Sequence, residues 1–188
     1  MEMTPVNNSM HATSEIRQLR KLITAALMAA FIVVGAYVMI PIGPVPVSLQ
    51  TFFVLLTGLL LPPRWALAAV ALYLFAGVIG LPVFAGGSSG IGRIAGPTGG
   101  YLISCLPAAG LVSLIHHSGG RRFLKAVPAL LVGTVVIYAL GVPWLKMVTG
   151  MPWSKAVAVG MLPFLIGDAL KIIAAVPVCK AIRPFVPH

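Results

Sequence analysis

Residues 22–40 read LITAALMAAFIVVGAYVMI, an apolar run of 19 residues without a charged side chain. A helix rises 1.5 Å per residue, and about 20 apolar residues cross a ~30 Å hydrocarbon core, so this run fits one membrane span. Arg17, Arg20 and Lys21 precede it, as in the opening of a signal peptide. Because the run is too long for a typical signal peptide and no cleavage-like site stands out, we expect a retained first span.

The composition of the whole chain points to the same environment. Its 188 residues are 59% hydrophobic and 9% charged, with a mean hydropathy of +1.03. Soluble domains carry roughly 25% charged residues. The sequence therefore predicts an all-α, multi-pass integral membrane protein.

Six apolar segments are predicted to be transmembrane helices. They lie near residues 22–40, 47–61, 65–80, 99–115, 126–142 and 160–182. The second to fifth are shorter than a full span, which favours local bilayer thinning, extension into the flanking residues or a cavity open to one side. The corresponding domain prediction has three parts: a loose cytoplasmic N-terminal segment (1–20), a single six-helix membrane domain (21–183) and a short cytoplasmic tail (184–188).

The distribution of basic residues predicts the orientation. With a cytoplasmic N-terminus, nine basic residues fall in inside segments and three in outside segments, which is the bias expected when both termini are cytoplasmic. The inside set is Arg17, Arg20, Lys21, Arg64, Arg121, Arg122, Lys125, Lys180 and Arg183, and the outside set is Arg93, Lys146 and Lys155. Because these residues are scattered in short connections, the formal charge of +10 does not indicate nucleic-acid binding.

The outside connections predict a structured loop cap rather than regular helix. PIGPVPVSLQ (41–50) is rich in proline, and LPVFAGGSSGIGRIAGPTGG (81–100) is rich in glycine. Non-helical backbone near membrane depth is tolerated only where protein or water satisfies it, so we expect a cap over a cavity. Trp144 and Trp153 frame the last outside connection and are candidate walls of that cavity.

Asp168 and Lys171 lie in the apolar segment PFLIGDALKIIAAVPV (163–178), and Asp168 is one of only three acidic residues. Their i,i+3 spacing places both on one helix face. One interpretation is a structural ion pair that holds the last span to its neighbours. We favour a second, a substrate site, because charges within a membrane cost several kcal/mol and usually line a substrate or ion path.

Other patterns in the sequence do not indicate a functional site. Gly90, Gly92 and Ala95 match a G-x-G-x-x-A dinucleotide fingerprint but lack the following acid that such a site needs. Cys105 and Cys179 have no pairing framework. Paired carboxylates, metal-ligand spacing and a Walker-type motif are also missing from the sequence, so we expect no enzyme active site, no metal and no cofactor.

Polar residues at the outer ends of the spans are weaker candidates for a small-molecule pocket. They are Ser48, Gln50, Thr98 and Tyr101, and Arg93 is the one charged residue of the neighbouring glycine-rich loop. For Arg93, a solvated or headgroup-bound arginine is the simpler interpretation, and a ligand contact is the alternative. In the first span, Ala25 with Ala29 and Ala26 with Ala30 form small-xxx-small stripes, which suit either internal packing or docking to another membrane subunit.

Three blocks of sequence carry a family resemblance over about residues 20–182. They are PVPVSLQTF, GLPVFAGG and GPTGGY, followed by GDALK. They resemble the biotin-specific substrate-binding (S) components, the BioY family, of energy-coupling-factor (ECF) vitamin transporters. The resemblance implies a helical protein of the cytoplasmic membrane of a prokaryote, which captures biotin near the outer face and has no catalysis of its own.

The resemblance also implies site residues and partners. Asp168 and Lys171 match the acid and lysine of the family's biotin site, and the glycine-loop blocks point to Gly87, through its backbone, and to Tyr101. Arg93 is a candidate for pairing with the biotin carboxylate. Ala25, Ala26, Ala29 and Ala30 fit the family's docking motif for a transmembrane coupling subunit, which works with separate ATPase subunits. The alternatives kept open are another vitamin, a small membrane enzyme acting on lipid, and a purely structural subunit.

Overall fold

A computed structural model describes residues 5–41, 44–118 and 122–186, and the side chains from residue 15 onward except 122 and 123. The described chain is mostly helical. Its α-helices are α1 (Pro5–Tyr37), α2 (Gln50–Leu60), α3 (Pro63–Val78), α4 (Ile91–Ala95), α5 (Gly99–His117), α6 (Arg122–Thr149), α7 (Trp153–Gly160) and α8 (Leu165–Ile182). Short 3-10 turns cover Ala85–Gly87, Leu162–Phe164 and Arg183–Phe185.

Each of the predicted spans corresponds to an apolar helix, but not all of these helices have full spanning length. Within the described residues, four segments are long and apolar enough to cross a membrane: Glu15–Tyr37, Gly99–His117, Leu124–Thr149 and Trp153–Phe185. Helices α2 and α3 are apolar but have only 11 and 16 residues. Pro62 and Pro63 separate them, because proline lacks the N–H that a continuous helix requires.

Proline also explains the part of the fold that an all-α prediction missed. Strands β1 (Met39–Ile40) and β2 (Val47–Ser48) pair antiparallel, with Met39 opposite Ser48. The prolines between them exclude helix, and the short ladder satisfies backbone groups that would otherwise be unpaired.

The fifth helix forms the centre of the bundle. It packs against α2, α3 and α6, whereas α1 covers α2 and α3, and α8 rests on α2 and α6. The largest buried cluster includes Leu56, Leu59, Val112 and Leu130, each at most 2% exposed. Helix α8 is the least enclosed of the long helices, since Ile166, Leu170 and Ile173 are all exposed.

The connections gather at two opposite ends of this bundle. At the first, which we call the loop end, the Tyr37 hydroxyl donates to the Pro82 carbonyl and the Trp144 indole donates to the Gly96 carbonyl. At the second, the tail end, the Ser113 hydroxyl donates to the Leu61 carbonyl at 2.6 Å, and Val186 is buried. The loops at the loop end are therefore structured.

The N-terminal segment differs from the prediction. Residues 1–20 were expected to be loose, but α1 is helical from Pro5, ahead of the apolar run. Part of this stretch, ATSEIRQLRK, contains good helix formers that can extend the first span. The predicted tail, 184–188, begins in a 3-10 turn next to α1, where Pro184, Phe185 and Val186 share a groove with Arg20 and Ile23.

Tyr73 of α3 offers a first test of the packing. Its ring stands edge-on to Phe84 at 5.6 Å, the residue is 1% exposed, and its hydroxyl has no hydrogen-bond partner among the described residues. An unsatisfied buried hydroxyl destabilises by about 1–3 kcal/mol. We therefore expect Tyr73→Phe to leave the melting temperature unchanged or to raise it by about 2–4 °C for each kcal/mol of this penalty that it removes. A lower melting temperature of the variant in detergent would mean that the hydroxyl is paired.

Candidate functional site

A cavity lies inside the bundle toward the loop end. The space free of protein atoms within its lining is about 760 Å³, the open solvent at its mouth included. Its walls come from α2, α5, α6, α8 and the loops before α2 and α5. Aromatic and aliphatic side chains form most of the lining, among them Phe84, Leu102, Ile137 and Phe164.

The acid and the lysine of α8 meet in this cavity. Lys171 Nζ lies 2.9 Å from Asp168 Oδ1, and the two side chains are only 10% and 15% exposed. Helical spacing puts both groups on the side of α8 that faces α2 and α6, opposite the exposed Ile166 and Ile173. A nearly buried ion pair at a cavity wall provides adjacent anionic and cationic hydrogen-bonding groups.

Two hydroxyls from other helices complete the polar floor. The Tyr138 hydroxyl of α6 donates to Asp168 Oδ2, and Lys171 Nζ donates to Thr51 Oγ1 of α2 at 2.9 Å. One connected network therefore joins α2, α8 and α6.

Most of the other predicted pocket residues line the same cavity, Ser48 and Thr98 among them. Gln50, Tyr101 and Arg93 all line it. The Tyr101 hydroxyl donates to the Gly160 carbonyl at 2.8 Å, which fixes the ring against the start of the last connection. Gly87 does not line the cavity. It has φ +72° in the turn that presents Phe84 and Ala85, so its effect on the site is through the backbone of that turn.

Arg93 and Gln50 have unused hydrogen-bonding capacity. The half-buried Arg93 guanidinium has no ion-pair or hydrogen-bond partner among the described residues. The amide of Gln50 is 7% exposed, and the contact of its Nε2 is a long one, 3.9 Å to Cys105 Sγ. Both groups are available to a bound molecule.

The tryptophans expected to wall the cavity do not do so. Trp144 is turned toward the loop before α5, where its indole donates to Gly96, and its Cβ would lie 2.3 Å from a Cβ added at Gly100. Trp153 is 55% exposed, with Lys146 Nζ 5.2 Å from its ring centroid. They support the helix ends, and the aromatic walls are Tyr101, Phe84 and Phe164 instead.

Sequence reasoning missed Thr51, Tyr138 and Cys105 as cavity residues. A threonine or cysteine in an apolar helix has no signal of its own, because its face becomes known only from packing. Tyr138 had one usable signal: a hydroxyl within an apolar span needs a polar partner, and Asp168 is the sole carboxylate in any predicted span.

The structure separates the two alanine stripes of α1. Ala25 and Ala29 are 4% and 6% exposed and pack inside the chain, so their predicted role in partner docking gives way to internal packing. Ala26 and Ala30, which form the second stripe, are exposed. Only the second stripe is accessible to another subunit.

Comparison with known proteins gives one consistent group. The model of the BioY family matches residues 6–188. A probable biotin transporter BioY of Pyrococcus horikoshii is 40% identical over 158 residues, which are 84% of this chain and 93% of that protein. The biotin transporter BioY of Thermotoga maritima is 40% identical over 157 residues, 84% of this chain and 92% of that protein. A crystal structure of the S-component for biotin from an ECF-type ABC transporter superposes with a TM-score of 0.81 at 28% identity, covering 100% of both chains.

Proposed function

The chain belongs to the BioY family, and from this premise we propose that its cavity is the biotin site of a biotin-uptake protein. The protein is a membrane-embedded transporter component rather than an enzyme. The observation that carries the site assignment is the ion pair of Asp168 and Lys171, almost buried in the wall of a cavity lined mostly by apolar side chains.

The chemistry of biotin matches the groups in the cavity. Its ureido ring has two N–H donors and one strong carbonyl acceptor, next to an apolar thioether ring and chain that ends in a carboxylate. Asp168 accepts a hydrogen bond from a ureido N–H, and Lys171 donates to the ureido oxygen next to it. A ligand without these groups leaves the buried pair unsatisfied, which makes such a site selective.

The rest of the molecule is held by the apolar walls and the cavity mouth. Tyr101, Phe84 and Ile137 bury the thioether ring and chain, and Gln50 provides an amide. Arg93 pairs with the carboxylate, because its guanidinium has no partner among the described residues. No cofactor or metal takes part, and no nucleic acid is bound.

The topology proposed for this transporter component has six spans, both termini in the cytoplasm and the loop end outside, in the cytoplasmic membrane of a prokaryote. It acts as the substrate-binding component of an ECF transporter, with a transmembrane coupling subunit and ATPase subunits. The exposed stripe of Ala26 and Ala30 allows the close helix approach that such docking needs.

The proposal is tested by a thermal-shift screen of the purified protein in detergent against biotin, thiamine and riboflavin. A ligand at 100 times its Kd stabilises the native state by about 2.7 kcal/mol, or about 5–10 °C for a chain of this size. We expect that shift with biotin alone. A shift with thiamine or riboflavin instead would reassign the vitamin, and no shift with any of the three would favour a structural subunit.

A further inference from the structure

Two hydroxyl groups flank the Asp168–Lys171 pair without belonging to the predicted site, Tyr138 on α6 and Thr51 on α2. We propose that Tyr138 and Thr51 are positioning residues that aim this pair at the ureido group and so set the selectivity of the cavity. This inference rests on the proposed function and adds two residues to its specificity.

The hydrogen bonds of Asp168 hold its carboxylate in a fixed orientation. A carboxylate accepts about four hydrogen bonds, two on each oxygen. Lys171 takes one site on Oδ1 and Tyr138 takes one on Oδ2, so each oxygen keeps one site free. The carboxylate is thus held from both ends, and it keeps a free acceptor site beside the Lys171 ammonium. In a cyclic urea each N–H lies next to the carbonyl oxygen, so one ureido N–H and that oxygen match this neighbouring acceptor and donor.

The hydrogen bonds of Lys171 likewise orient its ammonium group. An ammonium group has three N–H donors. One goes to Asp168 Oδ1 and one to Thr51 Oγ1, each at 2.9 Å, which leaves one donor for a ligand acceptor. Without Thr51 the ammonium keeps its charge but can rotate about the end of a flexible four-carbon stem. Thr51 therefore fixes the direction of the remaining donor.

The packing of α8 explains why such support is needed. Helix α8 contacts α2 and α6 on one side only, and its opposite side is exposed. Thr51 and Tyr138 lie on these two neighbouring helices, and each forms a hydrogen bond with one of the two charged side chains. Supporting hydrogen bonds of this kind lock the rotamers of groups that contact a ligand.

The experiment measures biotin and 2-iminobiotin affinity of the purified full chain for wild type, Tyr138→Phe, Thr51→Val and Thr51→Ser. We expect Tyr138→Phe to weaken biotin about 5–30-fold, because a hydrogen bond to a charged group is lost. Thr51→Val should weaken biotin about 3–10-fold and iminobiotin less, since iminobiotin lacks the carbonyl oxygen that Lys171 addresses. Thr51→Ser, which keeps the hydroxyl, should restore most of the biotin affinity.

A second arm separates positioning from general stability. In an Asp168→Asn background, Tyr138→Phe should change biotin affinity less than about 2-fold, because it acts through the carboxylate. The matched control is Tyr73→Phe, which removes a tyrosine hydroxyl from the same bundle, outside the cavity lining, and should leave biotin affinity unchanged.

The outcomes distinguish this inference from the proposed function. If wild type binds no biotin, the proposed function falls and this inference with it. If wild type binds biotin and Tyr138→Phe and Thr51→Val bind it equally well, only the positioning role is overturned. The same holds if Tyr138→Phe weakens biotin as strongly in the Asp168→Asn background as in wild type. If Tyr138→Phe does not fold, Thr51→Val and its serine rescue decide the question.

Discussion

Replacing Lys171 by alanine is expected to weaken biotin binding by at least 100-fold and to abolish the biotin-induced thermal shift. The substitution removes the cation beside Asp168 and leaves a carboxylate that is 15% exposed without its ion-pair partner. Truncating one member of a buried, hydrogen-bonded charge pair costs about 2–5 kcal/mol, and 2.7 kcal/mol already corresponds to about 100-fold in Kd. The ureido oxygen also loses its donor.

The isosteric change Asp168→Asn should have an effect of similar size, because it removes the negative charge and half of the acceptor capacity that faces the ligand. Lys180→Ala is the matched control. Lys180 is an exposed lysine near the end of the same helix, away from the cavity lining. We expect wild-type affinity there, measured by titration calorimetry in detergent. Wild-type affinity in both Lys171→Ala and Asp168→Asn would refute the site assignment.

The sequence was informative about this site wherever a residue was rare in its surroundings. Asp168 and Lys171 stand out because charges hardly occur in the apolar segments, and a charge in a membrane needs a reason. Tyr138 and Thr51 do not stand out, because a tyrosine or threonine in a membrane helix is ordinary. Their role depends on which helix faces α8, and this follows from packing.

The fold likewise has parts that follow from local sequence and parts that depend on packing. Apolar runs identified the helices, since period and length are local properties. The ends of α1, the β1–β2 hairpin and the turn at Gly87 could not be placed, because they depend on contacts between segments far apart in the chain, such as that of Tyr37 with Pro82. The two alanine stripes were equivalent in sequence, and only burial separated Ala25 and Ala29 from Ala26 and Ala30.

One such packing contact, between α5 and α6, predicts the second large effect. Gly141 of α6 lies against the ring of Tyr101, and a Cβ at this position would be 2.4 Å from Tyr101 Cδ1 and 2.5 Å from Cε1. Since a real Cβ does not approach other atoms so closely, Gly141→Ala must displace a cavity wall. The displaced ring also loses its hydrogen bond to the Gly160 carbonyl.

We expect Gly141→Ala to lower the melting temperature of the ligand-free protein by about 2–12 °C, from the 1–3 kcal/mol that overpacking of a well-packed interior costs. Biotin binding should weaken as well, because the displaced Tyr101 ring no longer forms the present cavity wall. The control is Gly167→Ala, another glycine in a helix, where no atom lies within 4 Å of the added Cβ. That variant should bind biotin normally and be equally stable or slightly more stable, because alanine favours helix over glycine.

A double variant tests whether the effect passes through Tyr101. Trimming the ring with Tyr101→Leu makes room for the new methyl group, so Gly141→Ala should destabilise this background less than it destabilises wild type. Contacting residues are coupled in this way by about 0.5–3 kcal/mol, whereas independent ones add. Additive losses in melting temperature would show that Gly141 and Tyr101 are not coupled. Wild-type biotin affinity in Gly141→Ala would show that biotin binding does not require the present position of the Tyr101 ring. The close approach of α5 and α6 would then not be what shapes the cavity.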